Sequence, residues 1–455
     1  MYKNVGLLLI IVCVFLSGQV LGNVSSCQKI LGESKESKEL CKKIGQMLII
    51  GFGGFSQDEK GKVLWSDSHG TKFDRSSPIA KHIAEDYVGG VILFNQPLRD
   101  AKTEELLRDR NISGPVQLAK LNQDLQDYNS EVRKEQGLPL LPLFISVDQE
   151  GGRVDRMPAA QGFPVRTLVP QALGAKEEKG GGSVRGVVKS LFGMVMPDSC
   201  NEIASDAVQE TYSYAKTLAE EIFAMHFNLN FAPVVDVNVN PSNPIIGGLG
   251  RSFSSDSMIV VDQARQFIRA FNGNGIIATL KHFPGHGSSA GDSHDGLVDV
   301  TKTYRRDIEL EPYYTLIKDG YRDIVMTTHV INGNIDRSQC KAGAIDDHAT
   351  WCPGTMSKKT LTDLLRNEMG FKGLVVSDDM TMGAIEKQYP LKVVLEKAVN
   401  AGVDIFIIAN NKIDKTGEVI TALASLIKSG AITREKIDEV YERIANFKKN
   451  KITIF

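Results

Sequence analysis

Residues 143–153 read Leu-Phe-Ile-Ser-Val-Asp-Gln-Glu-Gly-Gly-Arg, a short apolar run that ends in a polar loop. Such a run is typical of a β-strand with helices over both of its faces, because neither face then needs polar side chains. Seven further runs of this kind occur along the chain, each followed by a stretch with helical periodicity. The eight predicted strands are residues 46–52, 89–94, 143–147, 229–237, 277–282, 324–330, 373–377 and 404–409.

Between these runs, apolar residues recur at the spacing of a helix face. Two such sets are Ala215, Leu218 and Ile222, and Val261, Ala264, Ile268 and Phe271. Eight strand-then-helix units predict an α/β fold, a single (β/α)8 TIM-like barrel with loop insertions. A doubly wound open sheet is the alternative. It is disfavoured because residues 51–54, after the first strand, lack the full glycine spacing of a nucleotide-binding turn.

Composition excludes several classes of protein. Apolar residues make up 42% and charged residues 24% of the 455 residues, as in folded globular proteins rather than disordered chains. The 53 basic and 55 acidic side chains give a formal charge of −2, so the electrostatics predict no nucleic-acid partner.

The N-terminus has the pattern of an export signal. Lys3 precedes an apolar run over residues 5–16, and small residues follow up to Gly22, where we expect cleavage. An uncleaved anchor is the alternative, and a lipid anchor at Cys27 is disfavoured by the residues before it. We expect an exported protein, periplasmic or extracellular, with no stable membrane insertion after cleavage. The predicted organisation is a signal peptide (1–22), an N-terminal extension (23–40) and a barrel (41–450) with an insertion at about 175–205.

Five cysteines remain after cleavage, and an exported protein can oxidise them. Cys27 could pair with Cys41, and Cys340 with Cys352, which would leave Cys200 unpaired. Connectivity does not follow from sequence, and free structural thiols remain the alternative. The insertion is interpreted as a lid or partner surface, or equally as a disordered excursion.

Polar clusters follow at least four of the predicted strands, where barrel enzymes carry their active sites. They are residues 148–153 with Arg156, residues 281–287 with 292–294, His329, and residues 377–379; Arg251 lies in a loop after the fourth strand. Polar residues gathered at one end of the strands predict a site there rather than unrelated solvated loops.

Three of these stretches resemble the signature segments of glycoside hydrolase family 3, in its β-N-acetylglucosaminidase (β-N-acetylhexosaminidase) branch. They are residues 148–153, residues 281–287 with Asp292, Ser293 and His294, and residues 377–380. The resemblance spans roughly residues 40–450. It implies an exo-acting hydrolase that retains anomeric configuration through a covalent glycosyl intermediate. It also implies release of terminal β-linked N-acetylglucosamine from an oligosaccharide, with no metal and no cofactor.

The resemblance assigns roles residue by residue. Asp378 matches the nucleophile, and His294 with Asp292 matches a His–Asp acid/base dyad. Because consecutive strand residues point to opposite faces, Asp379 is expected to support or cap rather than react. Gly285, Gly287 and Gly291 suggest a mobile loop that brings His294 in when sugar binds.

The family's sugar-binding positions correspond to Asp148, Arg156, Arg251, Lys281 and His282. Arg153 and Glu150 could simply pair with each other, and His329 could serve packing or contact.

Other functions remain open at this point. A zinc hydrolase using His282, His286, Asp292 and His294 is disfavoured by the spacing and by Pro284. A non-catalytic sugar-binding protein and a β-glucosidase or β-xylosidase are also candidates. The family branch often acts on cell-wall (peptidoglycan) fragments inside the cytoplasm. This chain departs from that pattern because it carries a predicted export signal. The expected substrate is therefore a muropeptide or a chito-oligosaccharide, and oligomeric state does not follow from the sequence.

Overall fold

Eight parallel strands form the centre of the protein. In the computed structural model they are β1 (Leu48–Gly51), β2 (Gly90–Leu93), β3 (Phe144–Val147), β4 (Leu229–Asn230), β5 (Thr279–Phe283), β6 (Ile324–Thr327), β7 (Leu374–Asp379) and β8 (Ile405–Ile408). The structure describes residues 25–53, 55–57, 63–65, 71–95, 98–99, 106–108, 110–179, 206–340, 351–411 and 413–452. Each of these eight strands overlaps a predicted one, so the eight predicted barrel strands are confirmed.

The strands are joined in the order β4-β3-β2-β1-β8-β7-β6-β5. Parallel bridges from Leu229 to Ile277 and from Val234 to Lys281 connect the two ends of this order. The sheet therefore curls into a nearly closed barrel, and the open-sheet alternative is wrong. The fourth strand is shorter than residues 229–237, because Pro233 has no backbone N–H to continue the ladder.

Helices surround the barrel, as the apolar spacing predicts. They are α1 (Ser26–Leu31), α2 (Lys35–Gln46), α3 (Pro78–Ala84), α4 (Pro115–Glu135), α5 (Pro170–Lys179), α6 (Asp206–Ala224), α7 (Ser257–Gly273), α8 (Arg306–Glu309), α9 (Glu311–Lys318), a π-helix (Lys359–Glu368), α10 (Gly383–Glu386), α11 (Leu391–Ala401), α12 (Thr416–Lys428) and α13 (Arg434–Lys451). Two short antiparallel pairs, Phe55–Gln57 with Val63–Trp65 and Leu98–Arg99 with Leu106–Arg108, lie outside the barrel sheet.

Both of the cysteine pairings considered from the sequence are present. Cys27–Cys41 joins α1 to α2, and Cys340–Cys352 joins two ends of a loop after β6. The predicted signal peptide, Cys200 and most of the predicted insertion lie outside the described residues. Within the described ranges, no helix has both the length and the apolarity needed to cross a membrane.

A largely buried histidine, His82, ties α3 to the loop before α12. His82 Nδ1 lies 2.8 Å from Asp86 and its Nε2 lies 2.8 Å from Asp414. Burial alone would lower the pKa of His82, but Asp414 and Asp86 outweigh it and raise that pKa from 6.5 to about 10. The same contact holds the pKa of Asp414 down at about 2, against the opposing effect of burial. His82 is therefore an imidazolium shared between two carboxylates at neutral pH.

The stability that His82 provides is expected to depend on pH. Because the pKa is higher in the folded chain, the contribution is fully present below the unfolded value of 6.5 and is lost as pH rises through about 10. We expect His82→Gln to lower the free energy of unfolding by roughly 2–4 kcal/mol at pH 6 and by much less at pH 10. Urea unfolding at the two pH values measures this. Lys81→Gln, at an exposed position of the same helix, is the matched control. A destabilisation by His82→Gln that is equal at pH 6 and pH 10 would contradict the assignment.

Candidate active site

A buried cluster of charges lies at the carboxyl ends of β3 and β5. Arg251 places two N–H groups 2.7 and 2.8 Å from the carboxylate oxygens of Glu150, and Lys281 Nζ lies 2.6 Å from that carboxylate. Lys281 also donates to Asp148 at 2.9 Å. Burial opposes ionisation of Glu150, but Arg251 and Lys281 hold its pKa well below the usual range. The sequence interpretation that Glu150 pairs with Arg153 is wrong, because Arg153 is exposed and Glu150 is occupied by the two buried cations.

Asp236, a residue that the sequence reasoning missed, organises two histidines of the 281–287 segment. Its carboxylate lies 2.6 Å from His282 Nδ1 and accepts the backbone N–H of His286 at 2.7 Å. Burial would raise the pKa of Asp236, but His282 lowers it, so the carboxylate stays ionised. The Nδ1 contact leaves His282 Nε2 facing the Arg251 guanidinium at 3.4 Å. A single buried carboxylate therefore fixes His282 beside the Glu150 cluster.

Asp378 and Asp379, at the end of β7, have different surroundings. Asp379 accepts from Thr381 N–H at 3.0 Å, from the Thr381 hydroxyl at 2.7 Å and from Ala409 N–H at 2.9 Å. It thus ties β7 to β8, as expected for a supporting carboxylate. The Asp378 carboxylate instead accepts the Asp379 backbone N–H at 2.8 Å. The pKa of Asp378 is lowered by His282, His329 and His294 against the effect of burial, so Asp378 is ionised among imidazoles.

Asp292 and His294 form a pair on the loop after β5. His294 Nδ1 lies 2.7 Å from Asp292 Oδ1, and the same oxygen accepts the His294 backbone N–H at 2.8 Å. Burial raises the pKa of Asp292, but the bonds to His294 outweigh this and lower it. Two of the three loop glycines have a packing reason. A Cβ at Gly285 would lie 2.9 Å from Glu309, and one at Gly287 would lie 1.7 Å from the Val237 carbonyl oxygen.

Arg156 lies beside the ring of Phe94, the residue that follows β2. Its backbone N–H donates to Gln149 at 2.6 Å, and its guanidinium sits over the Phe94 ring at 5.8 Å. Arg156 Nε is buried without a hydrogen-bond partner among the described residues. The same ring carries Arg110 at 4.1 Å, a second residue that the sequence reasoning missed. Burial lowers the pKa of Arg110 to about 9.

His329 lies beside the end of β7 and is fully buried. Its Nδ1 lies 2.8 Å from the Thr355 hydroxyl, and its Nε2 lies 3.1 Å from the Asp379 carbonyl oxygen. Because both nitrogens are occupied by protein groups, His329 supports the strand end in this structure. Its imidazole still lies close enough to lower the pKa of Asp378.

Comparison with known proteins places this arrangement in a family. A sequence profile described as Glycosyl hydrolase family 3 N terminal domain matches residues 39–447, which is most of the chain. The chain belongs to glycoside hydrolase family 3. The resemblance inferred from the three signature stretches is therefore confirmed, and so is the barrel fold expected of that family.

Similar proteins of glycoside hydrolase family 3 are named as hexosaminidases. Beta-hexosaminidase A of Pseudoalteromonas piscicida is 29% identical over 89% of this chain and 60% of its own length. A beta-hexosaminidase of Tolumonas auensis is 31% identical over 69% of this chain and 80% of its own. The solved family 3 beta-N-acetylglucosaminidase of Paenibacillus sp. FPU-7 is 29% identical, with a TM-score of 0.67, over 91% of this chain and 64% of that one.

This chain thus spans less than two thirds of the length of the Pseudoalteromonas piscicida protein and of the Paenibacillus structure. The likeness concerns the barrel common to glycoside hydrolase family 3. Within the described residues, no three His, Cys, Asp or Glu side chains are grouped as a metal site requires. His282 and His286 contact Asp236 instead, and His294 contacts Asp292.

Among the charged groups of the site, Glu150 is expected to contribute most to the free energy of unfolding. Glu150→Gln would leave the buried cations Arg251 and Lys281 without their shared counter-charge, which we expect to lower the free energy of unfolding by about 3 kcal/mol. Thermal or urea unfolding measures the change. Arg153→Gln, three residues away and exposed, should change stability by no more than about 0.5 kcal/mol. Equal effects of the two substitutions would contradict this account.

Proposed function

We propose that the protein is a retaining, exo-acting β-N-acetylhexosaminidase that releases terminal β-linked N-acetylglucosamine from oligosaccharides. The observation that carries the proposal is the placement of an ionised Asp378 among imidazoles, with the His294–Asp292 pair and the Lys281–Asp148 cluster at the same end of the barrel. Family membership and the names of the similar proteins support the same substrate class.

The residues suit a two-step reaction. In the first step, an Asp378 carboxylate oxygen bonds to the anomeric carbon while the bond from that carbon to the leaving oxygen breaks. His294 gives its Nε2 proton to the leaving oxygen, and Asp292, bonded to Nδ1, stabilises the imidazole orientation. In the second step, water attacks the anomeric carbon, His294 takes the water proton, and the bond to Asp378 breaks. Two inversions give net retention.

The surrounding polar groups suit recognition of one sugar ring. Asp148 keeps a partly exposed carboxylate that can accept from hydroxyl groups while Lys281 holds it in place. Arg156 offers a buried Nε that has no partner among the described residues, which is the state expected of a donor that awaits a ligand. Arg251 adds a further cationic donor beside this cluster, with its guanidinium 3.4 Å from His282 Nε2. A few convergent polar groups in a concave site are typical of specific small-ligand pockets.

The test compares aryl substrates. Purified protein should hydrolyse an aryl β-N-acetylglucosaminide at least tenfold faster than the matching aryl β-glucoside or β-xyloside, with no loss on adding a chelator. Proton NMR during the first minutes should show the β-anomer as the initial product. Preference for the glucoside, an inverted product or dependence on metal would each reject the proposal, and binding of the sugar without turnover would indicate a sugar-binding protein.

We further propose that the protein acts outside the cytoplasm, on muropeptides or chito-oligosaccharides. The N-terminal pattern supports export, and the two disulfides fit an oxidising compartment. Fractionation of cells that express the full chain tests location. A panel of muropeptides and chito-oligosaccharides, assayed by product chromatography, tests the substrate, and release of N-acetylglucosamine from neither would reject both substrate classes.

A further inference from the structure

Residues 292–294, which carry the proposed acid/base pair, have one buried side chain between two more exposed ones. Ser293 is 2% exposed, whereas the side chains of Asp292 and His294 on either side of it are 33% and 59% exposed. The buried Ser293 hydroxyl lies 3.1 Å from His286 Nε2. The buried residue therefore anchors a segment whose two neighbouring side chains, Asp292 and His294, remain accessible.

The partner of Ser293 is itself held firmly. The His286 backbone N–H donates to Asp236 at 2.7 Å, and its ring is buried. Burial lowers the pKa of His286 to about 4, although Asp236 opposes this, so the ring is neutral at the pH where enzymes of this kind work. Nε2 contacts the serine hydroxyl without adding a charge near His294. A contact of this type positions the segment and leaves its proton chemistry alone.

A second pair of hydrogen bonds ties this segment to the residues after the nucleophile. Gly383 N–H donates to the His294 carbonyl oxygen at 3.0 Å, and Ala384 N–H donates to the Ser293 carbonyl oxygen at 3.1 Å. Gly383 is the first residue of α10 and lies five positions after Asp378. The helix that follows the Asp378 strand, α10, is thus joined backbone to backbone to the loop that carries Asp292 and His294, which we call the acid/base loop.

Glycine at position 383 makes this approach possible. A Cβ there would lie 2.6 Å from the His294 carbonyl oxygen and 2.8 Å from the Asp295 carbonyl oxygen, which is closer than real Cβ contacts allow. Any side chain at this position would push the loop away from α10. The displaced group would be His294, because its own carbonyl is the nearest atom.

We propose that Gly383 is a positioning residue for catalysis, which sets the distance between Asp378 and His294 by letting α10 bond directly to the acid/base loop. The His286–Ser293 contact holds the same loop from its buried side. In retaining glycosidases that use two carboxyl groups, those groups lie about 5–5.5 Å apart, so the spacing of the two reactive groups matters. A misplacement of about 1 Å can cost on the order of 100-fold in rate. This inference rests on the proposed role of His294 as acid and base.

Gly383→Ala tests the proposal. We expect kcat to fall 10- to 100-fold on N-acetylglucosaminides with poor leaving groups, such as chito-oligosaccharides, and by less than threefold on an activated aryl substrate. KM should change little, because none of the proposed sugar-binding residues moves. The leaving-group dependence arises because a good leaving group needs little protonation, so a displaced His294 matters less.

Two further variants keep the test decisive. Gly296→Ala is the matched control, since a Cβ there meets no described atom within 4 Å, and it should retain wild-type rates on both substrates. Ser293→Ala removes the buried contact without adding bulk, and it should show a smaller loss with the same leaving-group dependence. If Gly383→Ala fails to fold, as judged by thermal unfolding, Ser293→Ala decides the matter.

The outcomes separate this inference from the proposed function. If His294→Ala is sensitive to the leaving group while Gly383→Ala and Ser293→Ala lose equally on both substrates, or lose nothing, the positioning role is wrong and the acid/base role stands. If His294→Ala itself shows no leaving-group dependence, the acid/base role fails first. Selective loss in all three variants, with Gly296→Ala unaffected, supports the proposal.

Discussion

Replacing Asp378 by asparagine is expected to lower kcat by roughly four orders of magnitude or more while the fold is retained. Asp378 is the proposed nucleophile, and an asparagine there could not form the covalent bond of the first step. The hydrogen bond that the Asp378 carboxylate accepts comes from the next residue of its own strand, so the melting temperature should stay close to that of the wild type. Initial rates on an aryl β-N-acetylglucosaminide and a thermal unfolding curve measure the two quantities.

Asp379→Asn is the matched comparison for this variant. An asparagine there can still accept from the Ala409 and Thr381 N–H groups, so turnover should remain within about tenfold of wild type. Trapping the wild-type protein with a 2-deoxy-2-fluoro or 5-fluoro sugar and mapping the labelled peptide gives an independent test. A label on any residue other than Asp378, or near-normal rates for Asp378→Asn, would remove Asp378 from the mechanism.

His294→Ala is expected to have the second largest effect, a loss of about 10²- to 10⁴-fold in kcat on chito-oligosaccharides. The loss on a dinitrophenyl or similarly activated glycoside should be at least tenfold smaller, because that leaving group departs with little help from an acid. Steady-state rates on both substrates measure the difference.

Asp292→Asn provides the control for the pair. Asparagine can keep a hydrogen bond to His294 Nδ1 but removes the charge that stabilises the imidazolium, so we expect a smaller loss in the same direction. Equal losses for His294→Ala on both classes of substrate would mean that the imidazole shapes the loop rather than moves a proton.

Much of the fold was predictable from local pattern alone. The runs around Leu48–Gly51, Phe144–Val147 and Ile405–Ile408 are apolar on both faces, which is what a strand covered by helices requires. The polar residues that follow them come together because parallel strands end at the same rim of a barrel. This is why residues as distant as Asp148 and Lys281, which are 133 positions apart, could be assigned to one site from the sequence.

The contacts that the sequence pattern did not reveal are those between residues that are distant in sequence and close in the fold. Asp236 sits inside an apolar run and gives no local sign that the His282 ring and the His286 backbone N–H contact its carboxylate. Arg153 is the nearby cation that the sequence suggests for Glu150, but the carboxylate contacts Lys281 and Arg251, the latter 101 positions away. Arg110 belongs to no motif at all, and only the Phe94 ring and the Ala409 carbonyl beside it reveal its place.

The double duty of Asp236 has a consequence for protein engineering. One carboxylate oxygen contacts the His282 ring, and the other accepts the backbone N–H of His286, which precedes the acid/base loop. In the proposed mechanism, a substitution of Asp236 that changes sugar binding through His282 would also move the loop that carries His294, so substrate selectivity and rate would change together. Among the described residues, Asp148 and Arg156 make no hydrogen bond to Asp236, so they are the better positions for mutant libraries that aim to change the accepted sugar.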